Sequence, residues 1–268
     1  MTSIAYRSKP CEAGCVTTAI NDPYQTFGKG YGLQRRTDPQ IQTLIDNALG
    51  DATTVVNVGA GTGSYEPVGR RVLAVEPSVT MLAQRPPGAA PAVRATAEAI
   101  PLADNAVDVG LAILTVHHWP DAEKGLDELV RVSRRQVVLT WDPAMMSRSF
   151  WLISEYLPEI GRREATAAAI GVVTAGLSRH HAEVEVRPVP VPADCADRFL
   201  AAHWRRPHAY LDPAVRAASS GIAALPPEVV DAAMQHLTDD LAGGRWQRRH
   251  HDLLERDALD VGYRLVIT

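Results

Sequence analysis

The 268-residue sequence has few cysteines, no long apolar run and no excess of basic charge. Its three cysteines are an odd number in a long chain, which argues against a disulfide framework. Apolar stretches such as Val109–Val116 are strand-sized, well short of the roughly 20 residues that span a bilayer. Lys and Arg number 27 against 31 Asp and Glu, so no concentrated positive face is expected for nucleic acid. The sequence therefore predicts neither a membrane nor a nucleic-acid partner.

Location and metal content follow from two further absences. Met1–Pro10 is polar and lacks the apolar segment of a secretory signal. The pairs His180-His181 and His250-His251 have no third ligand at a recognisable metal-site spacing, so no metal is predicted. With 46% hydrophobic and 22% charged residues, the composition is that of an ordinary folded protein. A cytoplasmic enzyme fits these observations, and either a monomer or a homodimer is compatible with them.

Short apolar runs alternate with helical patterns from Thr53 to Trp141, and this alternation predicts an α/β fold with a doubly wound, Rossmann-like sheet. The predicted strands are Thr54–Val58, Arg71–Val75, Ala92–Ala95, Val107–Leu114, Gln136–Trp141, Val184–Val191 and Gly262–Ile267. Helical patterns follow Pro39, Ser78 and Asp121. In the C-terminal half they cover Phe150–Glu159, Glu164–Leu177, Asp194–His203, Pro213–Ala224 and Pro227–Leu241.

The chain divides into an N-terminal arm and one large domain. Residues 1–37 mix glycines with aromatics, which predicts an arm or lid, and residues 38–268 form the domain. Helical segments at about 144–180 and 194–258 are expected to cover the substrate. The arm's Tyr24 and Tyr31 are candidates to close over a bound ligand, although an ordinary amphipathic arm is the alternative.

The first predicted strand runs into the glycine-rich turn Gly59-Ala60-Gly61-Thr62-Gly63. Glycine accepts a positive φ and lets a ligand lie directly on the backbone. Dinucleotide enzymes place G-x-G-x-x-G here, but Ser64 stands at the position of the third glycine. The next strand begins about eight residues after Gly63, which leaves little room for the helix that would hold a pyrophosphate. The turn therefore favours a ligand without phosphates.

Glu76 ends the second predicted strand, one strand along from the glycine turn. An ionised carboxylate has two acceptor oxygens and can bind both hydroxyls of a ribose. The alternative is an ordinary surface glutamate at a strand end. Together with the glycine turn, the position favours ribose binding.

At this point the sequence resembles the class I S-adenosylmethionine (SAM)-dependent methyltransferases, and within them the UbiE-like group of small-molecule enzymes. The resemblance covers roughly residues 38–142 and depends on several stretches in a fixed order. These stretches are Asn57–Gly63, Glu76, Ala95–Leu102, Asn105–Asp108 and Leu114–Trp119. It implies SAM as the cofactor and a seven-stranded, mostly parallel sheet whose last strand is antiparallel.

The resemblance also implies where SAM lies. Gly59, Ala60 and Gly61 would follow its methionine part, and Glu76 its ribose. The remaining implied cofactor residues are Asn57 and Gly63 in the turn, Pro77, Met81, Thr96, Ala97 and Glu98 around the adenine, and Leu114 and Thr115 beneath the sulfonium. The sequence departs from the family pattern at Asn57 and Thr96, because Asp is usual at both positions, and in the short segment after Gly63.

Methyl transfer is an in-line displacement, so much of the rate comes from positioning, and a base is needed only when the acceptor must lose a proton. His117 follows the fourth predicted strand and is the candidate base, with a purely structural turn as the alternative. Trp151, Tyr156, His203 and Trp204 combine aromatic area with polar tips and are candidates for the acceptor site, although such residues are often plain core.

The predicted reaction is methyl transfer to a small-molecule acceptor, with O or C favoured as the methylated atom and N possible. Two other functions compete with it. One is a protein of the same fold that has lost catalysis and acts as a binding or assembly module. The other is an NAD-dependent oxidoreductase, which the glycine spacing and the short segment after Gly63 disfavour.

Overall fold

The computed structural model describes residues 35–164 and 169–268, so Tyr24 and Tyr31 lie outside the described residues. Most of the described strands join one seven-stranded sheet, and β7 and β8 pair separately. The strands are β1 (Thr54–Val58), β2 (Arg71–Val75), β3 (Ala92–Val93), β4 (Val107–Ile113), β5 (Ser133–Trp141), β6 (Glu185–Pro188), β7 (Val191–Pro192), β8 (Ala258–Leu259) and β9 (Tyr263–Ile267).

The order of strands in the large sheet is β3-β2-β1-β4-β5-β9-β6. Neighbours from β3 to β5 are parallel, whereas β9 is antiparallel to both β5 and β6. The last strand of the chain is thus inserted antiparallel between two earlier ones. This arrangement confirms the predicted mostly parallel, seven-stranded sheet.

Helices and tighter turns surround this sheet. The α-helices are α1 (Pro39–Leu49), α2 (Val79–Leu82), α3 (Ala122–Val132), α4 (Pro143–Ser149), α5 (Pro158–Glu164), α6 (Ile170–Ser178), α7 (Pro213–Ala217), α8 (Ser220–Ala223), α9 (Pro227–Ala242) and α10 (Arg245–Arg249). The 3₁₀ turns are Ala97–Ala99, Val116–His118, Pro207–Leu211 and His251–Glu255, and Leu152–Tyr156 forms one π-helical segment.

Two apolar cores lie on opposite faces of the sheet, because successive strand residues point to opposite sides. On β1, Val55 belongs to one core and Val56 to the other. The first core also contains α1 and most of the C-terminal helical segments. The second contains buried residues of α3 and α6, such as Leu126 and Val173. Both faces are covered, as expected for a parallel sheet.

The start of α1 is fixed by Asp38. Its carboxylate accepts hydrogen bonds from the N–H groups of Gln40 at 2.9 Å and Ile41 at 3.1 Å. These bonds satisfy donors that the first turn of a helix leaves unpaired. Its second oxygen accepts from the N–H of Ala196 at 2.9 Å, which ties the helix start to the C-terminal half.

The segment between β1 and β2 contains turns and no helix, as the short spacing after Gly63 predicts. Sharp turns at Gly59, Gly61 and Gly63 have positive φ values of 70°, 53° and 96°. The chain therefore reaches β2 without presenting a helix N-terminus at the glycine turn.

The C-terminal half departs from the sequence expectation in several places. The predicted helix Phe150–Glu159 consists of the π-helical segment and the start of α5, and the predicted helix Pro213–Ala224 is divided into α7 and α8. The predicted helix Asp194–His203 is a series of turns, in which the Asp197 carboxylate accepts from the N–H of Arg198 and from that of Arg36. Side-chain bonds of this kind compete with helix formation. The predicted strand Val184–Val191 is divided into β6 and β7, because prolines in this stretch interrupt backbone pairing.

Two further features of the described residues bear on partners. No described helix combines the length and the apolar character that a bilayer crossing requires. In the same ranges, no group of three or more His, Cys, Asp or Glu side chains is arranged to hold a metal ion.

Candidate active site

The carboxyl ends of β1, β2 and β4 meet at one edge of the sheet, where open α/β sheets bind ligands. The loops that follow them surround a cavity, here called the glycine-loop pocket. It is lined by most of the predicted cofactor residues, namely Asn57, Gly59, Ala60, Gly61, Glu76, Pro77, Met81, Thr96, Ala97, Glu98, Leu114 and Thr115. Gly63 belongs to the same turn but does not line the cavity.

The glycine turn is held against two neighbouring segments. The N–H groups of Gly59 and Ala60 both donate to the carbonyl of Val75, at 2.8 and 3.1 Å. A Cβ on Gly59 would lie 1.9 Å from Oγ1 of Thr115, so only glycine fits there. A Cβ on Gly61 would first meet the flexible end of Met81 at 3.2 Å. Gly59 therefore serves packing, whereas Gly61 leaves bare backbone facing the pocket.

Glu76 is 5% exposed and connects the turn to the start of α2. Its carboxylate accepts from the N–H of Gly61 at 2.7 Å and from the N–H of Ser78 at 2.8 Å. A carboxylate has about four acceptor positions, so these backbone bonds are compatible with ribose hydroxyls at the same group. The predicted ribose residue is thus buried at the pocket wall and held in a fixed orientation.

Asn57 adds a polar acceptor to the same pocket. It is 2% exposed, and its Oδ1 is buried with no hydrogen-bond partner in the structure. Its Nδ2 has one long contact of 3.5 Å with Glu66. Buried polar atoms are nearly always paired, so an unpaired carbonyl oxygen here fits a ligand with a donor group.

A second cavity, here called the Trp141 pocket, shares Arg35, Leu114 and His118 with the glycine-loop pocket. Its other lining residues are His117, Trp141, Met146, Glu164, Phe199, Leu200, Ala218, Ser219, Ser220, Gly221 and Tyr263. Trp141 and Tyr263 stand side by side because they pair in register at the end of β5 and the start of β9. The two pockets are therefore contiguous at the carboxyl edge of the sheet.

Leu114 lies at the boundary of the two pockets in an unusual backbone conformation. Its φ is +49°, in the left-handed region that residues with a Cβ rarely adopt. The strand's ladder continues through it, because its N–H donates to the carbonyl of Leu139 at 2.9 Å. Such strain costs on the order of 1–2 kcal/mol and is concentrated at functional sites.

His117 lines the Trp141 pocket and not the glycine-loop pocket. Its ring lies edge-on to Trp141, with 4.6 Å between the centroids, and its Nδ1 is buried without a partner. Burial, and then the nearby His118 and Arg163, lower the pKa of His117 well below its usual value. The imidazole is therefore uncharged at physiological pH.

Arg35 lines both pockets and is held by Asp197, a carboxylate with no exposed surface. Nε and Nη2 of Arg35 donate to the two carboxylate oxygens at 2.7 and 2.8 Å. The hydroxyl of Tyr65 donates to the same carboxylate at 3.0 Å. Burial raises the pKa of Asp197, but Arg35 outweighs it, and the pKa is lowered overall. The ion pair joins the segment before α1 to the segment after β7, and the Tyr65 hydroxyl ties the residues that follow the glycine turn to the same carboxylate.

Comparisons of this chain with known proteins agree on a methyltransferase. A family model described as a methyltransferase domain matches residues 56–140. A solved structure from Anabaena variabilis, described as a methyltransferase from an antibiotic biosynthesis pathway, is 32% identical. The alignment covers 88% of this chain and 98% of the Anabaena chain, with a TM-score of 0.80. The chain belongs to the class I SAM-dependent methyltransferases.

Curated relatives agree over a shorter length. Uncharacterised methyltransferases of Mycobacterium bovis and Mycobacterium tuberculosis are each 34% identical over 132 residues, which cover 44% of this chain. The chain spans about half the length of these curated relatives, 52% in each case. Family membership establishes SAM as the cofactor class of this methyltransferase, while the UbiE-like subgroup stays a prediction.

The predicted acceptor residues of the methyltransferase lie in its core and line neither pocket described above. Nε1 of Trp151 donates to the carbonyl of Trp204 at 2.7 Å, and Nε1 of Trp204 donates to that of Val191 at 2.9 Å. The hydroxyl of Tyr156 donates to Asp240 at 2.8 Å. His203 is also buried, and burial together with Arg206 lowers its pKa to about 4. Packing has turned these four side chains inward.

Sequence reasoning left several lining residues of the methyltransferase unassigned. In the glycine-loop pocket these are Thr62, Ser64, Tyr65, Ser78, Ile113, His118, Trp119 and Pro120. Ser78 could have been predicted from the local sequence, because it follows the Glu76-Pro77 strand end at the start of a predicted helix. In the structure it caps α2 by accepting from the N–H of Met81. Trp141 could also have been predicted, because it is the aromatic residue that ends a predicted strand at the ligand-binding edge. Phe199 and Ser219 could not, since their positions depend on the path of the C-terminal half.

Proposed function

We propose that this methyltransferase binds SAM in the glycine-loop pocket and transfers its methyl group to a small-molecule acceptor, with O or C favoured over N. The observation that carries the proposal is the continuity of the two pockets, which share Arg35, Leu114 and His118. One pocket has the bare turn and buried carboxylate that suit a nucleoside. The other is lined by aromatic and aliphatic side chains together with a few polar groups, which suits a small organic molecule.

The residues of the glycine-loop pocket have distinct roles in this proposal. Glu76 binds the ribose, and the Oδ1 of Asn57 accepts from the ammonium group. The methionine part follows Gly59, Ala60 and Gly61, and Leu114 and Thr115 lie beneath the sulfonium. The adenine is flanked by Pro77 and Met81, with Thr96, Ala97 and Glu98 at its edge. We keep Gly63, Tyr24 and Tyr31 as proposed contributors, although the tyrosines lie outside the described residues.

When bound, SAM supplies a methyl group on a positively charged sulfur, which leaves as a neutral thioether. The protein's task is then to hold the acceptor in line and, for an acceptor that ionises, to remove a proton. His117 is the proposed base, because it lines the Trp141 pocket and its buried Nδ1 has no partner. Leu114 lines both this pocket and the glycine-loop pocket.

The Anabaena relative supports a small-molecule acceptor, because antibiotic biosynthesis acts on small organic compounds. An NAD-dependent oxidoreductase is disfavoured by the turn between β1 and β2, which offers no helix N-terminus for a pyrophosphate. A SAM-binding module without catalysis remains the competing function, and a methyl-transfer assay separates the two.

Calorimetry and a transfer assay test the proposal together. SAM and its demethylated product, S-adenosylhomocysteine, are expected to bind with micromolar dissociation constants, and NAD is not expected to bind. SAM with a labelled methyl group is then incubated with the protein and a small-molecule extract, and labelled products are sought. NAD binding without SAM binding would overturn the cofactor assignment. SAM binding with no labelled product from any acceptor would favour the non-catalytic module.

A further inference from the structure

Three side chains of the Trp141 pocket contain buried polar atoms that have no hydrogen-bond partner. They are Nε1 of Trp141, Oγ of Ser219 and Nδ1 of His117. Trp141 is 6% exposed and Ser219 is 4% exposed, so neither side chain lies in bulk water. More than nine in ten buried polar groups in proteins are paired. Three unpaired atoms around one cavity therefore indicate a missing ligand with polar atoms of its own.

The rest of the lining defines the shape and polarity of that ligand. Phe199 and Tyr263 stand edge-to-face, with their ring centroids 4.9 Å apart, and Met146 and Leu200 complete an apolar wall. Aromatic and thioether surfaces of this kind favour a flat ring. The unpaired polar atoms belong to His117, Trp141 and Ser219, so the ligand is an apolar ring with a polar substituent.

The hydrogen-bonding properties of the three unpaired atoms indicate which polar substituent the ligand carries. An indole N–H can only donate, so the ligand must offer a lone pair to Trp141. A protonated amine has no lone pair and would leave that donor unpaired. A hydroxyl oxygen accepts from Trp141 and can also donate its own hydrogen to an uncharged imidazole nitrogen. Ser219 accepts or donates as the ligand requires.

The charged residues of the Trp141 pocket also favour a neutral hydroxyl group over a protonated amine. Arg35 is paired with the Asp197 carboxylate, so the pair contributes no net negative charge that would attract a cationic ligand. Glu164 is the carboxyl group of the lining, and burial raises its pKa, with Arg163 opposing the shift. Burial thus weakens the anionic form that would attract an ammonium group.

We infer that the Trp141 pocket binds the methyl acceptor as a neutral hydroxylated aromatic ring, with Trp141 and Ser219 holding the hydroxyl oxygen and thereby determining specificity. The inference rests on the proposed function. The hydroxyl oxygen forms the bond to the methyl carbon, the carbon–sulfur bond breaks with its electron pair left on sulfur, and the hydroxyl proton passes to Nδ1 of His117. The products are a methyl ether, a neutral thioether and an imidazolium, so charge is conserved.

Binding of simple probes tests the inference without relying on turnover. The probes are phenol, anisole, toluene and benzylamine, added to the protein saturated with S-adenosylhomocysteine. The readout is the indole N–H signal of Trp141 in a ¹⁵N–¹H spectrum, identified by its loss in Trp141→Phe. Phenol should bind with a dissociation constant on the order of 1 mM and shift this proton downfield, as a new hydrogen bond does. Toluene and benzylamine should bind more weakly and leave the proton unshifted, while anisole should be intermediate.

Matched variants separate specificity from fold. Trp141→Phe and Ser219→Ala should each weaken phenol binding about 3- to 10-fold, which is the usual effect of one hydrogen bond, and leave S-adenosylhomocysteine affinity unchanged. Trp246→Phe is the control, because the Nε1 of Trp246 is also buried and unpaired but lies away from both pockets. It should leave phenol affinity unchanged.

The outcomes distinguish this inference from the proposed function. Failure of S-adenosylhomocysteine to bind would overturn the proposed function itself. If the nucleoside binds but phenol leaves the Trp141 signal unmoved, or benzylamine binds more tightly than phenol, the acceptor assignment is overturned and the proposed function stands. If Trp141→Phe fails to fold, the indole signal is assigned in the wild-type protein by through-bond and through-space spectra, and its response to phenol decides between the same outcomes.

Discussion

The N–H of Gly61 donates a 2.7 Å hydrogen bond to the carboxylate of Glu76, so the proposed ribose residue also holds the glycine turn in place. The same carboxylate accepts from the N–H of Ser78. One buried side chain thus fixes the relative positions of the loop after β1 and the start of α2. The preorganisation of the glycine-loop pocket depends on this carboxylate before any ligand binds.

Replacing Glu76 should weaken SAM binding. Glu76→Ala removes the acceptor for the ribose hydroxyls and releases Gly61, so we expect a loss of roughly 1–3 kcal/mol in binding free energy. Glu76→Gln keeps one acceptor oxygen and should lose less. Calorimetric titration with SAM measures both, and Glu183→Ala, on an exposed glutamate, is the control. An affinity unchanged in Glu76→Ala would remove Glu76 from the site.

Two glycines of the same turn should respond differently to substitution. Gly59→Ala places a methyl group 1.9 Å from Oγ1 of Thr115 at a φ of +70°, so backbone strain and overpacking together should destabilise the protein by about 2–5 kcal/mol. Gly61→Ala shares the backbone strain, at a φ of +53°, but its methyl group meets only the flexible end of Met81, so it should destabilise the protein less and weaken SAM binding, because its side chain enters the pocket. Gly171→Ala, with open space around it, is the control. Equal losses of stability at positions 59 and 61 would contradict this division of roles.

The parts of the site that the sequence predicts are those encoded locally. β1 and β2 have their predicted bounds, and Glu76 follows directly from the end of β2 and the adjacent glycine turn. Parallel pairing then brings the ends of neighbouring strands to one edge. The residue type, its position at a strand end and the composition of the loop are sufficient to predict such site residues, because parallel strand pairing then places them close together.

The parts that escape prediction depend on contacts between distant segments. Arg35 and Asp197 are 162 residues apart, and no local pattern pairs them. Trp151 and Trp204 are the residue types expected in a ligand-binding wall, but tertiary packing buries both, and each indole N–H donates to a backbone carbonyl. Which face of a short helix is buried is decided by tertiary packing in the C-terminal half, and amphipathic patterns there are weak.

Breaking the Arg35–Asp197 pair should destabilise the protein markedly. Asp197→Asn leaves the guanidinium with a neutral partner in a buried setting, and removal of one member of a buried ion pair typically costs about 3–5 kcal/mol. Urea unfolding measures the change in the free energy of unfolding. Asp252→Asn, which loses a solvent-exposed pair with Arg256, is the control and should change stability by less than about 1 kcal/mol. If Asp197→Asn lowers the free energy of unfolding no more than Asp252→Asn does, the Arg35–Asp197 pair is dispensable for stability.

The left-handed conformation of Leu114 gives a test of strain at the pocket boundary. Leu114→Ala and Leu114→Gly both remove the apolar side chain, but only glycine accepts a φ of +49° without strain. We therefore expect Leu114→Gly to be more stable than Leu114→Ala by about 1 kcal/mol, the reverse of the order seen at most positions. Thermal or urea unfolding compares them. The opposite ranking would mean that residue 114 relaxes out of the left-handed region.

Protonation of His117 should determine how kcat/KM falls at low pH. Because burial lowers its pKa well below 6.5, the imidazole stays able to accept a proton under mildly acidic conditions, and kcat/KM should begin to fall only below pH 6.5. His117→Gln should reduce turnover by about 10²–10⁴-fold and remove this limb. The exposed His208 provides the control variant, His208→Gln. A loss of less than tenfold would reject His117 as the base.

The same pKa shift should appear in stability, with a defined sign. The unfolded chain binds a proton at His117 near pH 6.5, whereas the folded protein binds it only at a much lower pH. The wild type should therefore lose stability relative to His117→Gln as the pH falls below 6.5, because protons favour the unfolded state. Comparing the two proteins cancels the contribution of His203, whose pKa is also lowered. A stability difference that stays constant between pH 7.5 and pH 5 would mean that His117 is accessible to protons in the folded protein, and its role as an uncharged base would fail with it.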